Sequence, residues 1–387
     1  MEIGIVVTFI AALIVFAPFI STLTRIPIIV VEMLLGVFGA YIGILGDIKA
    51  FEIVAHIGFL YLMFLAGMEV NLKEFQTKKE PLLRRTVIYF ILIYLLSIFS
   101  CLYFELGIVY VITFPIFSIG VLMALVKEYG KNELWLNLAL NIGIVGELLS
   151  IIAIAILSGS LNSGFDTTFF IHMAALVMFL VAFVSLFKIL KVLFWWFPEL
   201  KIFLMPLHDN KDTDIRLSMA LMFAFVGVMM ILSIDKVLGA FLAGLFIRTF
   251  FRHKTELPEK LSSFGFGFLI PIFFIYVGST IPVDTFFDKE ILTNALFICF
   301  MIFIVRFLSS FVSFAKYLKV KNTILFSLST SMPLTFLVAI ATVAHSGNLI
   351  SNGEYYSFIL ASMINAVVFM ILIKIFHKFF QKEIGKK

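Results

Sequence analysis

Two charged residues in this chain stand where charge is expensive. Glu147 lies in Asn141-Ile142-Gly143-Ile144-Val145-Gly146-Glu147-Leu148-Leu149-Ser150, inside an apolar run over 134–157. Arg306 lies in Ile304-Val305-Arg306-Phe307-Leu308-Ser309-Ser310, inside another over 291–315. Each run is long enough to cross a bilayer, and at about 1.5 Å rise per residue each charge falls near the middle of its run. A lone carboxylate there costs roughly 2.5–3.5 kcal/mol on insertion scales, so it needs a partner, an ion or a proton. Gly143, Glu147 and Ser150 recur at i, i+4, i+7, as do Arg306, Ser310 and Ser313. Each charge therefore shares its helix face with small or polar residues. Glu147 reads as a reversible proton and cation site. Arg306 reads as a fixed charge that keeps Glu147 ionised and competes with the cation; the alternatives are a structural ion pair or a cap on freed backbone carbonyls.

Two other apolar runs are interrupted at corresponding places. One holds Thr113-Phe114-Pro115-Ile116-Phe117-Ser118-Ile119-Gly120, the other Ser327-Leu328-Ser329-Thr330-Ser331-Met332-Pro333-Leu334-Thr335. Proline removes a helical hydrogen bond and clashes with the preceding turn. Inside a membrane such breaks are tolerated where the freed carbonyls line a cavity or hold an ion. Ser118, Ser329, Thr330, Ser331 and Thr335 add hydroxyl oxygens suited to a hard cation; the alternative is a kinked helix whose hydroxyls bond its own carbonyls. Asn141, Gly146 and Ser150 join Ser329, Thr330 and Ser331 as candidate cavity lining.

The elements that must hold these groups follow from composition. The chain has 387 residues, 62% hydrophobic and 14% charged, against about 25% charged in a soluble domain. Long apolar runs point to an all-α polytopic membrane protein rather than a barrel, whose strands alternate. Segmentation gives about thirteen helices: 3–20, 27–45, 53–68, 86–104, 107–126, 134–157, 168–190, 216–234, 236–251, 264–281, 291–315, 323–345 and 355–377. Within 216–251, Ser233-Ile234-Asp235-Lys236 makes a tight hairpin of what could be one long helix. With the N-terminus outside and sides alternating, nearly all of the 29 Lys and Arg fall on inner segments. The outer loops keep only Lys49, Lys236 and Lys289, which places the C-terminus in the cytoplasm. Such scattered basic residues are orientation signals, and no nucleic-acid partner is expected.

The halves on either side of 191–215 look related. Leu35-Gly36-Val37-Phe38-Gly39-Ala40 matches Leu238-Gly239-Ala240-Phe241-Leu242-Ala243. Gly58-Phe59-Leu60 leading to Gly67 matches Gly267-Phe268-Leu269 leading to Gly278. The matched segments start on opposite sides, so the repeats are inverted, with a site expected at the midplane between them. Other polar residues carry less. Glu32 is expected to snorkel or cap near the inner end of its helix. Cys101 and Cys299 read as small buried hydrophobes, and the six histidines show no metal spacing. Neither a signal peptide nor a cofactor is expected. Paired aspartates or a Ser/His set for an intramembrane enzyme are missing from the helix centres.

The chain resembles the bacterial monovalent cation:proton antiporters of the sodium/hydrogen exchanger superfamily, Kef-type and sodium-exchanging members together. The resemblance rests on Ile26-Pro27 through Glu32-Met33-Leu34-Leu35-Gly36, on Phe64-Leu65-Ala66-Gly67-Met68-Glu69-Val70, on Leu238-Gly239-Ala240-Phe241-Leu242-Ala243-Gly244, and on Phe268-Leu269-Ile270-Pro271-Ile272-Phe273-Phe274 with Gly278. It implies an inverted-repeat fold with two crossing broken helices, in the cell inner membrane, as a homodimer. It implies a mobile core from 86–157 and 291–377 and a dimerisation domain from 1–68 and 168–281. The family's transport acid maps to Glu147, its basic core residue to Arg306, and its first hydroxyl to Ser118. Where many relatives carry two polar groups in tandem, this chain has Gly146-Glu147, so a single carboxylate implies electroneutral exchange of Na⁺, or K⁺, for H⁺. A Kef-type potassium efflux pathway gated by a separate partner is the rival reading; no Gly-rich dinucleotide fingerprint is present to gate it within this chain.

Overall fold

The structure, a computed structural model, describes residues 2–24, 26–45, 49–69, 80–130, 133–161, 212–232, 236–251, 254 and 256–384, with positions 178, 181, 185, 186, 188–197, 199 and 200. In chain order the helices are α1 (Glu2–Thr24), α2 (Ile28–Tyr41), α3 (Lys49–Glu69), α4 (Glu80–Tyr103), α5 (Ile108–Thr113), α6 (Gly120–Tyr129), α7 (Leu134–Leu161), α8 (Thr213–Ile231), α9 (Lys236–Phe250), α10 (Leu257–Phe264), α11 (Ile270–Ser279), α12 (Lys289–Thr330), α13 (Leu334–Ser346) and α14 (Asn352–Ile384). Among the described residues, eight helical stretches are long and apolar enough to cross a membrane. A helix satisfies its own backbone polar groups, which lipid cannot do. The expected segment 168–190 lies for the most part outside the described residues; the others fall on helix. Helices α8 and α9 are separate within 216–251, and positions 233–235, where the hairpin turn is expected, lie outside the described residues.

Two compact units form. One takes in Met1–Thr24, Val31–Lys73 and Ser158–Thr280, the other Arg25–Val30, Glu74–Leu157 and Ile281–Lys387. In the first, glycines set the packing. A methyl group on Gly36 would overlap the Ile275 carbonyl oxygen, and one on Gly278 would overlap that of Met33, so α2 and α11 touch backbone to backbone. Gly67 and Gly244 do the same for α3 and α9, against Phe241 and Phe64. Small residues allow this approach where helices associate without water to drive them together. The pairing is crossed: α2 and α9 carry matching sequences, as do α3 and α11, and each packs on the other's mate. Repeats related by a twofold axis produce that arrangement.

Between α10 and α11 the helix widens into a π turn over Gly265–Leu269. Pro271 has no N–H for the carbonyl one turn back, and a π turn absorbs such a break without ending the helix. Glu32 corrects an expectation: at 3% exposure it is buried within α2 instead of snorkelling to a surface.

In the second unit α12 runs for 42 residues. Straight, it would measure about 63 Å, twice the hydrocarbon core of about 30 Å. Lys319 breaks it with φ 62° and ψ 163°, a left-handed φ that L-residues rarely adopt. The two expected segments 291–315 and 323–345 meet at this basic turn. Asp288 caps the start of α12 by accepting from the Glu290 and Ile291 amides, in the manner of a helix N-cap.

Candidate functional site: an unwound stretch wrapped by Glu147, Arg306 and Ser150

All the geometry lies in the second unit. Helix α5 ends at Thr113 and α6 begins at Gly120, leaving Phe114–Ile119 outside regular helix; the Phe114 amide still bonds the Tyr110 carbonyl and the Ile116 amide that of Thr113. Pro115 is the cause, since it cannot donate to the Val111 carbonyl. The Ser97 hydroxyl of α4 donates to that carbonyl instead, at 2.8 Å.

The remaining freed groups find partners on three other helices. Arg306, fully buried on α12, donates through one Nη to the Phe114 carbonyl at 2.9 Å and through the other to the Ile116 carbonyl. Its guanidinium carbon lies 4.8 Å from the centroid of the Phe117 ring, within cation–π range. The planar fork reaches two carbonyls at once, which an ammonium could not do. Of the readings open for Arg306, this is the carbonyl cap, made on the break itself.

From α7, the Ser150 hydroxyl accepts from the Phe117 amide at 2.8 Å and donates to the Gly146 carbonyl at 2.7 Å. Glu147 is 2% exposed, and its Oε1 faces the Ile119 amide at 3.5 Å, the outer limit for a hydrogen bond. Gly146 is required here because a Cβ would overlap the Phe117 ring. The second break, Ser331-Met332-Pro333 between α12 and α13, reaches the first through Thr335: its hydroxyl stands 2.6 Å from that of Ser118.

Glu147, Gly146, Ser150, Ser118 and Arg306 thus converge on one unwound stretch. The other candidates do not join them by hydrogen bonds. Ser329 and Thr330 donate to the Phe326 carbonyl at 2.9 and 3.0 Å, and Ser331 to that of Ser327 at 2.7 Å. Asn141 donates to the Asn137 carbonyl and side-chain oxygen, both at 2.8 Å. Hydroxyls bonded to their own helix keep lone pairs but have spent their protons.

Sequence reasoning missed an aromatic wall. Tyr89 on α4 is fully buried, its ring 6.3 Å from that of Phe117, 5.3 Å from Phe314 and 5.7 Å from Phe326. These rings border the break. Nothing in the spacing of Tyr89 sets it apart from the 16% of residues that are aromatic.

One carboxylate with hydroxyl and carbonyl oxygens suits a hard monovalent cation or a proton. Among the described residues no three His, Cys, Asp or Glu side chains group to hold a metal ion.

The transmembrane sodium/hydrogen exchanger model matches residues 7–379 of the chain. The chain is 27% identical over 385 residues to the Bacillus subtilis (strain 168) protein named "Putative Na(+)/H(+) antiporter YjbQ", covering 91% of this chain and 59% of that one. It is 26% identical over 364 residues to "Probable Na(+)/H(+) antiporter 3" of Methanocaldococcus jannaschii, covering 90% of each. It shares its fold with the structure of the sodium proton antiporter MjNhaP1 from Methanocaldococcus jannaschii at pH 8, with a TM-score of 0.65 and 16% identity over 97% of both chains. A family match that spans both units, both breaks and both buried charges leads to one conclusion: the chain belongs to the transmembrane sodium/hydrogen exchanger family.

Proposed function

We propose that this chain is a secondary transporter that exchanges a monovalent cation, Na⁺ in the first place and K⁺ in the second, for protons. One observation carries the reading: a single buried carboxylate, Glu147, sits at the break where two interrupted helices meet through Ser118 and Thr335. Glu147 binds a proton or a cation but not both, so the two species compete for one group. That competition couples them. With one carboxylate, one charge is exchanged for one proton, and transport is electroneutral.

Arg306 keeps the break open by holding the Phe114 and Ile116 carbonyls. Ser118 lends a hydroxyl oxygen to the cation. The second unit acts as the mobile core and presents the site to each face of the membrane in turn. The first acts as the scaffold through which two copies pair. The chain lies in the cell inner membrane with its N-terminus outside and its C-terminus in the cytoplasm. Relatives named as antiporters support exchange over a gated efflux pathway.

The test is a proteoliposome assay with Na⁺, K⁺ and Li⁺ imposed in turn, with and without a clamped membrane potential. Cation-driven proton movement at a rate indifferent to the potential is the expected result. Cation flux without counter-movement of protons contradicts the reading and favours a gated conductance.

A further inference from the structure

The two breaks let the repeats be aligned residue by residue. Glu147 follows Pro115 by 32 positions, and Asn365 follows Pro333 by the same 32. The position in the second repeat that corresponds to the transport carboxylate is therefore an asparagine on α14. Its surroundings are unusual. Asn365 is fully buried, and neither its Oδ1 nor its Nδ2 has a hydrogen-bond partner among the described residues. One turn before it, the Ala361 carbonyl accepts from the Cys299 thiol at 3.4 Å. One turn after it, the Phe369 ring packs 5.5 Å from Phe303. Residues at i−4 and i+4 that both touch α12 place Asn365 on the face of α14 directed at the helix that carries Arg306. Arg306 Nε is itself without a partner among the described residues.

An amide left unbonded in a protein interior is destabilising, because it has given up its bonds to water for none in return. Native proteins keep such groups where a water, an ion or a functional role accounts for them. A side-chain carbonyl is also an ordinary ligand for a hard cation.

We propose that Asn365 is the neutral counterpart of Glu147: a polar station on the cation's path whose lack of charge holds the exchange at one charge per proton. The proposal rests on the exchange reading above and adds a specificity-determining residue on the opposite repeat. Replacing the amide by a carboxylate changes shape hardly at all but gives the core a second group able to carry a proton. Replacing it by leucine keeps the volume and removes the oxygen.

The experiment uses the full chain in proteoliposomes. For Asn365→Leu the expected result is a rise of about tenfold in the apparent KM for Na⁺, the loss of roughly one hydrogen-bond equivalent. For Asn365→Asp it is a transport rate that responds to a clamped membrane potential where the parent does not. An independent arm needs no turnover: Asn365→Cys, with Cys101→Ser and Cys299→Ser, is exposed to a membrane-impermeant cationic thiosulfonate. Labelling that Na⁺ slows supports the station. Wild-type KM and potential response in the first two variants, or absence of labelling in the third, overturns it. Loss of coupling at Glu147 is a separate result, so the failure of the exchange reading and the failure of this proposal are told apart.

Discussion

The hydroxyls of Ser118 and Thr335 stand 2.6 Å apart, one in the first helix break and one just past the second. This is a direct side-chain bond between the interrupted elements of the two repeats, and it lies beside the stretch that faces Glu147. A double-mutant cycle with Ser118→Ala and Thr335→Val measures it through thermal unfolding in detergent. The coupling expected for a hydroxyl pair between membrane helices is roughly 0.6 kcal/mol and at most about 1.7 kcal/mol. Strict additivity would mean that the two hydroxyls do not interact.

Arg306 is predicted to resist conservative replacement. Arg306→Lys keeps the charge but loses the fork that reaches the Phe114 and Ile116 carbonyls together. At least one buried carbonyl then goes without its donor, at about 1–3 kcal/mol. The thermal midpoint and the transport rate should fall together, and a lysine variant indistinguishable from the parent in both would show that charge alone matters.

Glycines in the two units are predicted to fail in different ways. In Gly146→Ala the added methyl meets a side chain, the Phe117 ring from its Cγ outward, so a second change, Phe117→Ala, should restore part of the lost transport. In Gly67→Ala or Gly244→Ala the methyl meets a backbone carbonyl of the facing helix. No trimming of side chains relieves that, so these variants should lose folded protein on size-exclusion chromatography. Rescue of Gly67→Ala by a side-chain truncation would contradict the packing described.

Ser150→Ala removes the acceptor of the Phe117 amide and leaves a donor unpaired inside the unit. About 1–3 kcal/mol of stability is at stake. Ser150→Thr keeps the hydroxyl and should recover most of it, read as the thermal midpoint in detergent.

Much of this site was legible in the sequence because the signals are ones that lipid punishes. A carboxylate and a guanidinium at mid-span, and a proline within each of two apolar runs, stand out from their surroundings. Other features depend on direction, which spacing does not give. Arg306 turns to the carbonyls of the break, and only the fold shows that Pro115 frees carbonyls within its reach. Ser329, Thr330 and Ser331 look like cation ligands by type, yet each bonds its own helix. Glu32 looked interfacial by its place in α2 and is buried. The matching glycine motifs were visible, but not that they bring carbonyls within reach of glycine Cα atoms across the crossed helix pairs.

On the exchange reading proposed above, competition at one carboxylate also fixes the sign of the pH response. As pH falls, more Glu147 carries a proton and less can bind cation, so the apparent KM for Na⁺ rises. As pH rises the KM falls, until the proton needed for the return step limits the rate. Kinetics at a series of pH values with equal pH on both sides check this. An apparent KM independent of pH across the active range would separate the two binding events and remove the coupling.

The measurement that bears most directly on the central claim is Na⁺-dependent proton movement in everted vesicles carrying Glu147→Gln. The amide is close in size and cannot exchange a proton, so the variant should reach the membrane folded and show no cation-dependent proton movement. Undiminished exchange by Glu147→Gln would contradict the account outright.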